Sequence, residues 1–141
     1  MESIKFTLDL LPQAKQRARS ASGGNHYTPQ KTKAFETAVA TYARIEKNLQ
    51  GFDTLENVPI SLEIICHLPI PASKIKKIKE KYWHYIKPDG SNLVKAIEDG
   101  MNGIIYKDDS QIARLVVEKR YSAEPRIDVF VAVLKQPSAV L

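Results

Sequence analysis

The chain has 141 residues, of which 43% are hydrophobic, a length and composition typical of one globular domain with a single core. No apolar run approaches the roughly 20 residues that a membrane-spanning helix requires, so no membrane partner is expected. The net charge of +5 favours an anionic partner such as nucleic acid. The single cysteine, Cys66, has no disulfide partner in the chain and lies in an apolar run, which indicates a buried thiol in a reducing compartment.

The first predicted element is a half-buried strand from Ile4 to Leu10, where hydrophobic and polar residues alternate. A polar stretch from Pro12 to Tyr27 follows, and its lack of apolar periodicity predicts a long loop. Three cations make this loop a candidate DNA-binding surface: Lys15, Arg17 and Arg19. Taken alone, a basic loop is most often solvated surface.

A helix is predicted from Pro29 to Leu49, with Thr28 as its cap, Pro29 at its first position and Gly51 as its stop. An apolar stripe at helical spacing is expected to face the core. Its members are Phe35, Ala38, Val39, Tyr42 and Ile45. The cations of the outer face include two further candidate DNA contacts, Lys31 and Lys33.

A central strand is predicted from Val58 to Leu68, ended by Pro69 and Pro71. A lysine-rich insertion follows at about residues 73–86, with an aromatic cluster near its end. The cluster consists of Tyr82, Trp83 and Tyr85. These rings could stack on nucleobases, but packing in the core or in a dimer interface is the favoured interpretation.

A second helix is predicted from Ser91 or Asn92 to Met101, followed by an Asn-Gly turn. Two further strands, Ile112–Tyr121 and Arg126–Leu134, are predicted to form a hairpin through the connection that contains Pro125. The expected fold class is α+β: a mixed β-sheet of four or five strands packed by two main helices. Residues 1–141 are expected to form a single domain that carries the insertion.

Acidic side chains occur at the start of the second helix and again on a turn about twenty residues later. Asp89 precedes the helix, Lys95 and Asp99 share one of its faces at i and i+4, and Asp108 and Asp109 follow the turn. If the turn returns beside the helix, Asp89 and one of the later acids could share a metal ion. Separated carboxylates around a cation are suited to holding Mg²⁺ beside a phosphate.

Each part of this pattern has a simpler interpretation. Asp89 alone is more often a helix cap, Lys95 and Asp99 a surface pair, and Asp108-Asp109 a solvated turn. The three histidines are too scattered in sequence to indicate a metal site. The combination of acids, a lysine and a basic surface in one small domain favours the catalytic interpretation.

The pattern resembles the signature of RusA-type Holliday-junction resolvases, which are common in bacteria and their prophages. The residues that carry the resemblance are Lys87-Pro88-Asp89-x-x-Asn92-Leu93-x-Lys95, Asp99, Asn102-Gly103 and Asp108-Asp109-Ser110-Gln111-Ile112. The N-terminal part is similar to phage-type members in Lys15-Gln16-Arg17-x-Arg19 and Tyr27-Thr28-Pro29. The resemblance covers nearly the whole chain and is weakest in the insertion and the C-terminal tail.

The resemblance implies a cytoplasmic bacterial or phage-encoded enzyme of DNA recombination and repair. It implies a homodimeric endodeoxyribonuclease that uses Mg²⁺, or alternatively Mn²⁺, and resolves four-way junction DNA by paired symmetric nicks. A closed two-fold dimer suits such a junction because it presents two equivalent sites. Carried over by position, Asp89, Lys95 and Asp109 are the catalytic residues. Asp89, Asp108 and Asp109 are the metal-binding residues.

One position departs from the family pattern, since Ser91 stands where a second aspartate is usual. A hydroxyl is a weaker ligand than a carboxylate. Asp108, Asp99 or Glu98 could supply the missing charge, or the enzyme could be slow or need another ion. The alternative function is a catalytically weak or inactive junction-binding protein. A small basic domain with a protein partner is the remaining hypothesis.

Overall fold

The computed structural model of the protein describes residues 2–16, 19–20, 26–27, 29–74 and 82–138. Its strands are β1 (Ser3–Leu8), β2 (Arg19–Ser20), β3 (His26–Tyr27), β4 (Ile60–Pro69), β5 (Ile112–Ser122) and β6 (Arg126–Val133). Its α-helices are α1 (Gln30–Gln50) and α2 (Gly90–Met101), and short 3-10 helices span Ala72–Lys74 and Asp109–Gln111. Within the described residues, no helix is both long and apolar enough to cross a membrane.

Four strands form a mixed sheet in the order β1-β6-β4-β5. β4 runs parallel to β5 and antiparallel to β6, and β6 runs antiparallel to β1. β2 and β3 form a separate two-stranded pair. The sheet and its two main helices confirm the predicted α+β class, and the interior position of β4 confirms the prediction of a central strand.

The predicted hairpin between the last two strands is wrong, because β4 lies between β5 and β6. β4 reaches only to Pro69, which pairs with Ser122 at the end of β5. The short connection at residues 123–125 therefore crosses past the end of β4 rather than folding β6 back on β5. A gap of two strand spacings is about 10 Å, and a connection of this length can span it.

Helix α1 matches its predicted extent to within one residue, although Pro29 precedes the first helical residue. Gly51 ends the helix with a left-handed φ of 64°, as predicted, whereas Thr28 lies outside the described residues. The buried stripe differs from the predicted one because its members are Thr32, Phe35, Val39 and Ala43. Ile45, predicted to be buried, is 52% exposed.

The two helices approach each other closely at Gly100 of α2. A Cβ atom at this position would lie 2.7 Å from the Val39 Cβ atom and 3.0 Å from the Glu36 carbonyl oxygen. Only a glycine permits this approach without displacement of α1. The contact fixes the C-terminal half of α2, which carries Asp99, against the helix that carries Glu36.

The aromatic cluster of the insertion is exposed in the single chain, so its predicted packing in the core is wrong, whereas the alternative of packing in a dimer interface stays a prediction. Tyr82, Trp83 and Tyr85 all lie on the surface beside β5, and residues 75–81 lie outside the described part of the chain. An isolated β-bridge joins Trp83 to Arg120. The end of the insertion is therefore attached to the outer edge of the sheet.

Candidate active site

Asp89 occupies the N-cap position of α2, directly before Gly90. Its backbone carbonyl accepts the helix hydrogen bond from the Leu93 N–H at 3.2 Å, but its side chain makes no capping hydrogen bond. The carboxylate is exposed and is not used as a helix cap. This geometry removes the simplest structural explanation for an aspartate at this position.

Lys119 of β5 fixes the segment that leads into Asp89. Its ammonium group donates hydrogen bonds to the carbonyl oxygens of Ile86 and Pro88, both at 2.7 Å. The sequence alone does not identify Lys119, since a lysine within a strand gives no signal of its own. Its effect is to hold the backbone immediately before the N-terminus of α2 against the sheet.

Lys95 lies between two carboxylates, as the i,i+4 spacing and the return of the turn predict. Its Nζ atom is 3.3 Å from Asp99 Oδ1 and 3.5 Å from Asp109 Oδ2. Although partial burial works against it, hydrogen bonding and attraction by Asp99 and Asp109 raise the pKa of Lys95. Lys95 is therefore a cation at neutral pH, held beside the late acid of the motif.

Lys95, Asp99 and Asp109 form a charged cluster. Lys15 of the N-terminal segment also contacts this cluster. Its ammonium group forms ion pairs with Asp99 and with Glu36, the latter at 3.4 Å, and its backbone N–H donates to the Asn92 carbonyl oxygen at 2.9 Å. Burial opposes these contacts, but Asp99 and Glu36 raise the pKa of Lys15. Glu36 is a further member of the cluster that no pattern in the sequence indicates. Charges of alternating sign thus run from Glu36 to Asp109.

The other candidate DNA contacts have different settings. Lys31 and Lys33 are exposed on α1, consistent with availability to a partner. Arg17 lies outside the described residues, and only the backbone of Arg19 is described. Of the three predicted contacts whose side chains are described, Lys15 is the one that forms ion pairs with acidic side chains.

Asp108 caps the short 3-10 helix that begins at Asp109. Its carboxylate accepts hydrogen bonds from the N–H and hydroxyl groups of Ser110, and its own N–H donates to the Gln111 side chain at 3.0 Å. The bonds from Ser110 lower the pKa of Asp108. The capping box orients the turn so that Asp109 faces Lys95.

Glu98 lies next to this cluster on α2 and is partly buried. Burial raises the pKa of Glu98, and the charges of Asp109 and Asp99 add to this effect while Lys95 opposes it. Its backbone carbonyl accepts a hydrogen bond from the buried Tyr106 hydroxyl at 2.9 Å. A cation close to these carboxylates would relieve their mutual repulsion.

The described residues offer oxygen donors of the kind that Mg²⁺ uses, but they do not form a complete metal site by themselves. Among the described residues, no three His, Cys, Asp or Glu side chains are grouped as a complete metal site. Along the axis of α2, Asp89 lies about 9 Å from Lys95, the residue that contacts Asp109, so the two carboxylates do not by themselves enclose an ion. Mg²⁺ is usually held by one or two carboxylates together with water and substrate phosphates. Asp89, Asp109 and the exposed Ser91 hydroxyl are oxygen donors of this kind.

Two comparisons with known proteins identify the family of the chain. A family model described as endodeoxyribonuclease RusA matches residues 9–132, which include all the charged residues of the cluster. The uncharacterized protein YqaN of Bacillus subtilis (strain 168) is 38% identical over 141 residues, covering 93% of this chain and 96% of that protein. The match extends over most of the chain, and the protein belongs to the RusA endodeoxyribonuclease family.

Proposed function

We propose that this protein is a metal-dependent endonuclease that resolves four-way DNA junctions by paired nicks, acting as a homodimer. The observation that carries the proposal is the arrangement at α2, where an exposed Asp89 carboxylate makes no capping hydrogen bond and Lys95 is held against Asp109. Membership of the RusA family and the net charge of +5 support DNA as the substrate.

The N-terminus of α2 is suited to a phosphodiester. The first N–H groups of a helix have no partner within the helix, and the Asp89 side chain does not cap them here. These groups and the helix dipole attract an anion. Gly90 has no side chain to obstruct the approach of a phosphate. The scissile phosphate would thus lie between Asp89 and the first turn of α2.

Asp89 and Asp109 would hold Mg²⁺, or alternatively Mn²⁺, with Ser91 and Asp108 in supporting positions. When bound, the ion would polarise the phosphodiester and lower the pKa of a bound water molecule. The protonated Lys95 would neutralise charge that develops on the phosphate or on the leaving oxygen. Asp99 would hold Lys95 in place through the 3.3 Å contact.

Two-fold symmetry connects this chemistry to resolution of a junction. One chain carries one candidate site, whereas resolution requires two nicks on strands related by the symmetry of the junction. A closed two-fold dimer supplies two equivalent sites. We therefore propose that the homodimer is the active form.

The second candidate function is junction binding without efficient cleavage, and it rests on Ser91. This residue is exposed in the first turn of α2, one position before Asn92, where it offers a hydroxyl instead of a carboxylate. The rest of the candidate site does not depend on Ser91. A protein with this arrangement could bind a junction and leave the cut slow.

Cleavage of an end-labelled synthetic four-way junction with Mg²⁺ or Mn²⁺ tests both functions. We expect paired symmetric nicks that Asp89→Asn and Asp109→Asn abolish and that Asp53→Asn, an exposed acid outside the cluster, does not affect. Tight junction binding without nicks, with cleavage gained in Ser91→Asp, would support the second function. Absence of salt-sensitive DNA binding would reject both, because phosphate contacts weaken steeply with salt.

A further inference from the structure

An aromatic groove of about 600 Å³ lies beside the N-terminus of α2, between that helix and the outer edge of β5. The residues that line it include Trp83, Gly90, Ser91, Leu115, Val117 and Lys119. Gly90 and Ser91 belong equally to the proposed phosphate site. The groove is therefore continuous with the place where the cut strand would lie.

The wall that carries Trp83 is held firmly by the sheet. The His84 N–H donates to the Lys119 carbonyl oxygen at 3.0 Å, and the Tyr121 N–H donates to the Tyr82 carbonyl oxygen at 2.9 Å. These bonds attach residues 82–84 to the edge of β5. Trp83 is thus an exposed aromatic ring on a fixed backbone.

Side-chain packing adds to this rigidity. The Tyr82 ring meets the Trp83 ring edge to face at 4.7 Å, and the Arg120 guanidinium lies 4.9 Å from the Tyr82 ring centre. His84 packs on Tyr121 at 4.8 Å and is buried. A ring held in this way can stack on a ligand with little further loss of side-chain freedom.

Large apolar side chains are exposed in the groove. Trp83 is 55% exposed, and Leu115, which also lines the groove, is 46% exposed. Clustered exposed apolar side chains indicate a binding site. Glu118, the one acid among the lining residues, is paired with Arg120 at 2.9 Å. An aromatic surface whose acid is already neutralised suits an anionic ligand with a flat apolar ring.

We propose that this groove binds an unstacked nucleobase from the branch point, next to the phosphate that is cut, with Trp83 as its stacking surface. The inference rests on the proposed function, since it places the phosphate at the N-terminus of α2. Bases at a branch point are less costly to unstack than bases within a continuous duplex. Stacking on Trp83 would therefore favour branched DNA over linear duplex without reading base identity.

The fluorescence of the protein tests this directly, because Trp83 is the single tryptophan of the chain. The probes are a synthetic four-way junction, a duplex with a short unpaired bubble and a matched linear duplex, at one salt concentration with Ca²⁺ to prevent cleavage. We expect the junction and the bubble to quench Trp83 and the linear duplex to leave it largely unchanged. Equal responses to all three, or no response to any, would overturn the proposal.

Variants test the contribution of stacking through the anisotropy of labelled DNA. Trp83→Leu should weaken junction binding roughly five- to a hundredfold, the loss of one stacked base, and should change duplex binding little. Trp83→Phe should retain most of the affinity. Leu49→Ala, which removes an apolar side chain 76% exposed on α1, is the matched control and should have no effect. Unchanged junction affinity in Trp83→Leu would refute the proposal.

Failure of this proposal is distinguishable from failure of the proposed function. If the wild-type protein cuts junctions and Trp83→Leu binds and cuts them equally well, the proposed function is supported and the base site is refuted. If the wild-type protein never cuts, yet unpaired DNA quenches its fluorescence, the catalytic function is refuted and the base site is supported. Trp83 fluorescence that changes on dilution of the protein without DNA would assign the groove to a second copy instead.

Discussion

Replacement of Lys15 by methionine would separate a role in the active site from a role in DNA binding. The ammonium group of Lys15 lies against Asp99 and Glu36, and Asp99 in turn holds Lys95. Methionine keeps much of the length of the side chain and removes the charge. Asp99 would then attract Lys95 more strongly and draw it away from Asp109. We therefore expect a lower kcat with DNA affinity nearly unchanged.

The size of the effect follows from the contacts that are lost. At 3.4 Å, the attraction between Lys15 and Glu36 is about 1 kcal/mol at the dielectric constant of water and about 5 kcal/mol at an effective value of 20. The Glu36 and Asp99 side chains are only 19% and 21% exposed and would face each other without this cation. We expect the free energy of unfolding to fall by about 1–3 kcal/mol. A shift of Lys95 by about 1 Å could lower kcat by up to about a hundredfold.

The assay is junction binding across a salt series together with steady-state cleavage and chemical denaturation. Lys33→Met is the matched control, because Lys33 is exposed on α1 and forms no ion pair with the described residues. A phosphate contact contributes about 0.9 to the slope of log affinity against log salt, so Lys33→Met should reduce that slope if Lys33 binds DNA. Lys15→Met should leave it unchanged. A reduced slope with normal kcat and stability in Lys15→Met would refute the reasoning.

Three further predictions concern the fold. Gly100→Ala should lower the free energy of unfolding by about 1–3 kcal/mol, because its Cβ would lie 2.7 Å from a side chain of α1. Gly90→Ala is the control and should not lower it, since its Cβ would make only an ordinary 3.6 Å contact. Equal stabilities of the two variants on denaturation would contradict this. Although burial opposes it, the His67 hydrogen bond lowers the pKa of Asp128, so its charge contributes stability above the ordinary pKa of about 3.9. The stability difference between wild type and Asp128→Asn should therefore shrink as pH falls below about 4, and a difference that grows over the same range would be evidence against it. Burial raises the pKa of the Cys66 thiol to about 12, so iodoacetamide at pH 8 should label it only after denaturation, and rapid labelling of the folded protein would be inconsistent with this packing.

Local patterns in the sequence predict the elements well because their causes are local. Alternation predicts β1, and the glycine that follows α1 marks its end through a left-handed backbone. The pairing of β5 and β6 is different, since a short connection with a proline is compatible with a hairpin and with a crossing past a third strand. Only the antiparallel pairing of β4 with β6 decides between them, and that pairing joins residues about sixty positions apart, as at Cys66 and Ile127.

The contacts of the candidate site are also of two kinds, local and long-range. The contact between Lys95 and Asp99 follows from helical spacing, and the sequence predicts it. The contact of Lys15 with Asp99 joins residues 84 positions apart, and that of Lys119 with Pro88 joins residues 31 apart. No periodicity connects such pairs, because the packing of loop, helix and sheet brings them together. The sequence therefore predicts the residues of the motif but not those that position them.

Two long-range contacts on either side of Ser91 determine what Ser91→Asp can reveal. The Lys119 side chain holds the carbonyl of Pro88 before Ser91, and the backbone N–H of Lys15 holds the carbonyl of Asn92 after it. The exposed side chain at position 91 can therefore change while the backbone stays in place. A carboxylate in the first turn of a helix is stabilised by the helix dipole, typically by about 0.3–1 kcal/mol. Since Ser91→Asp should fold at least as well as the wild type, a gain in cleavage would measure the added charge at the site rather than a change in stability.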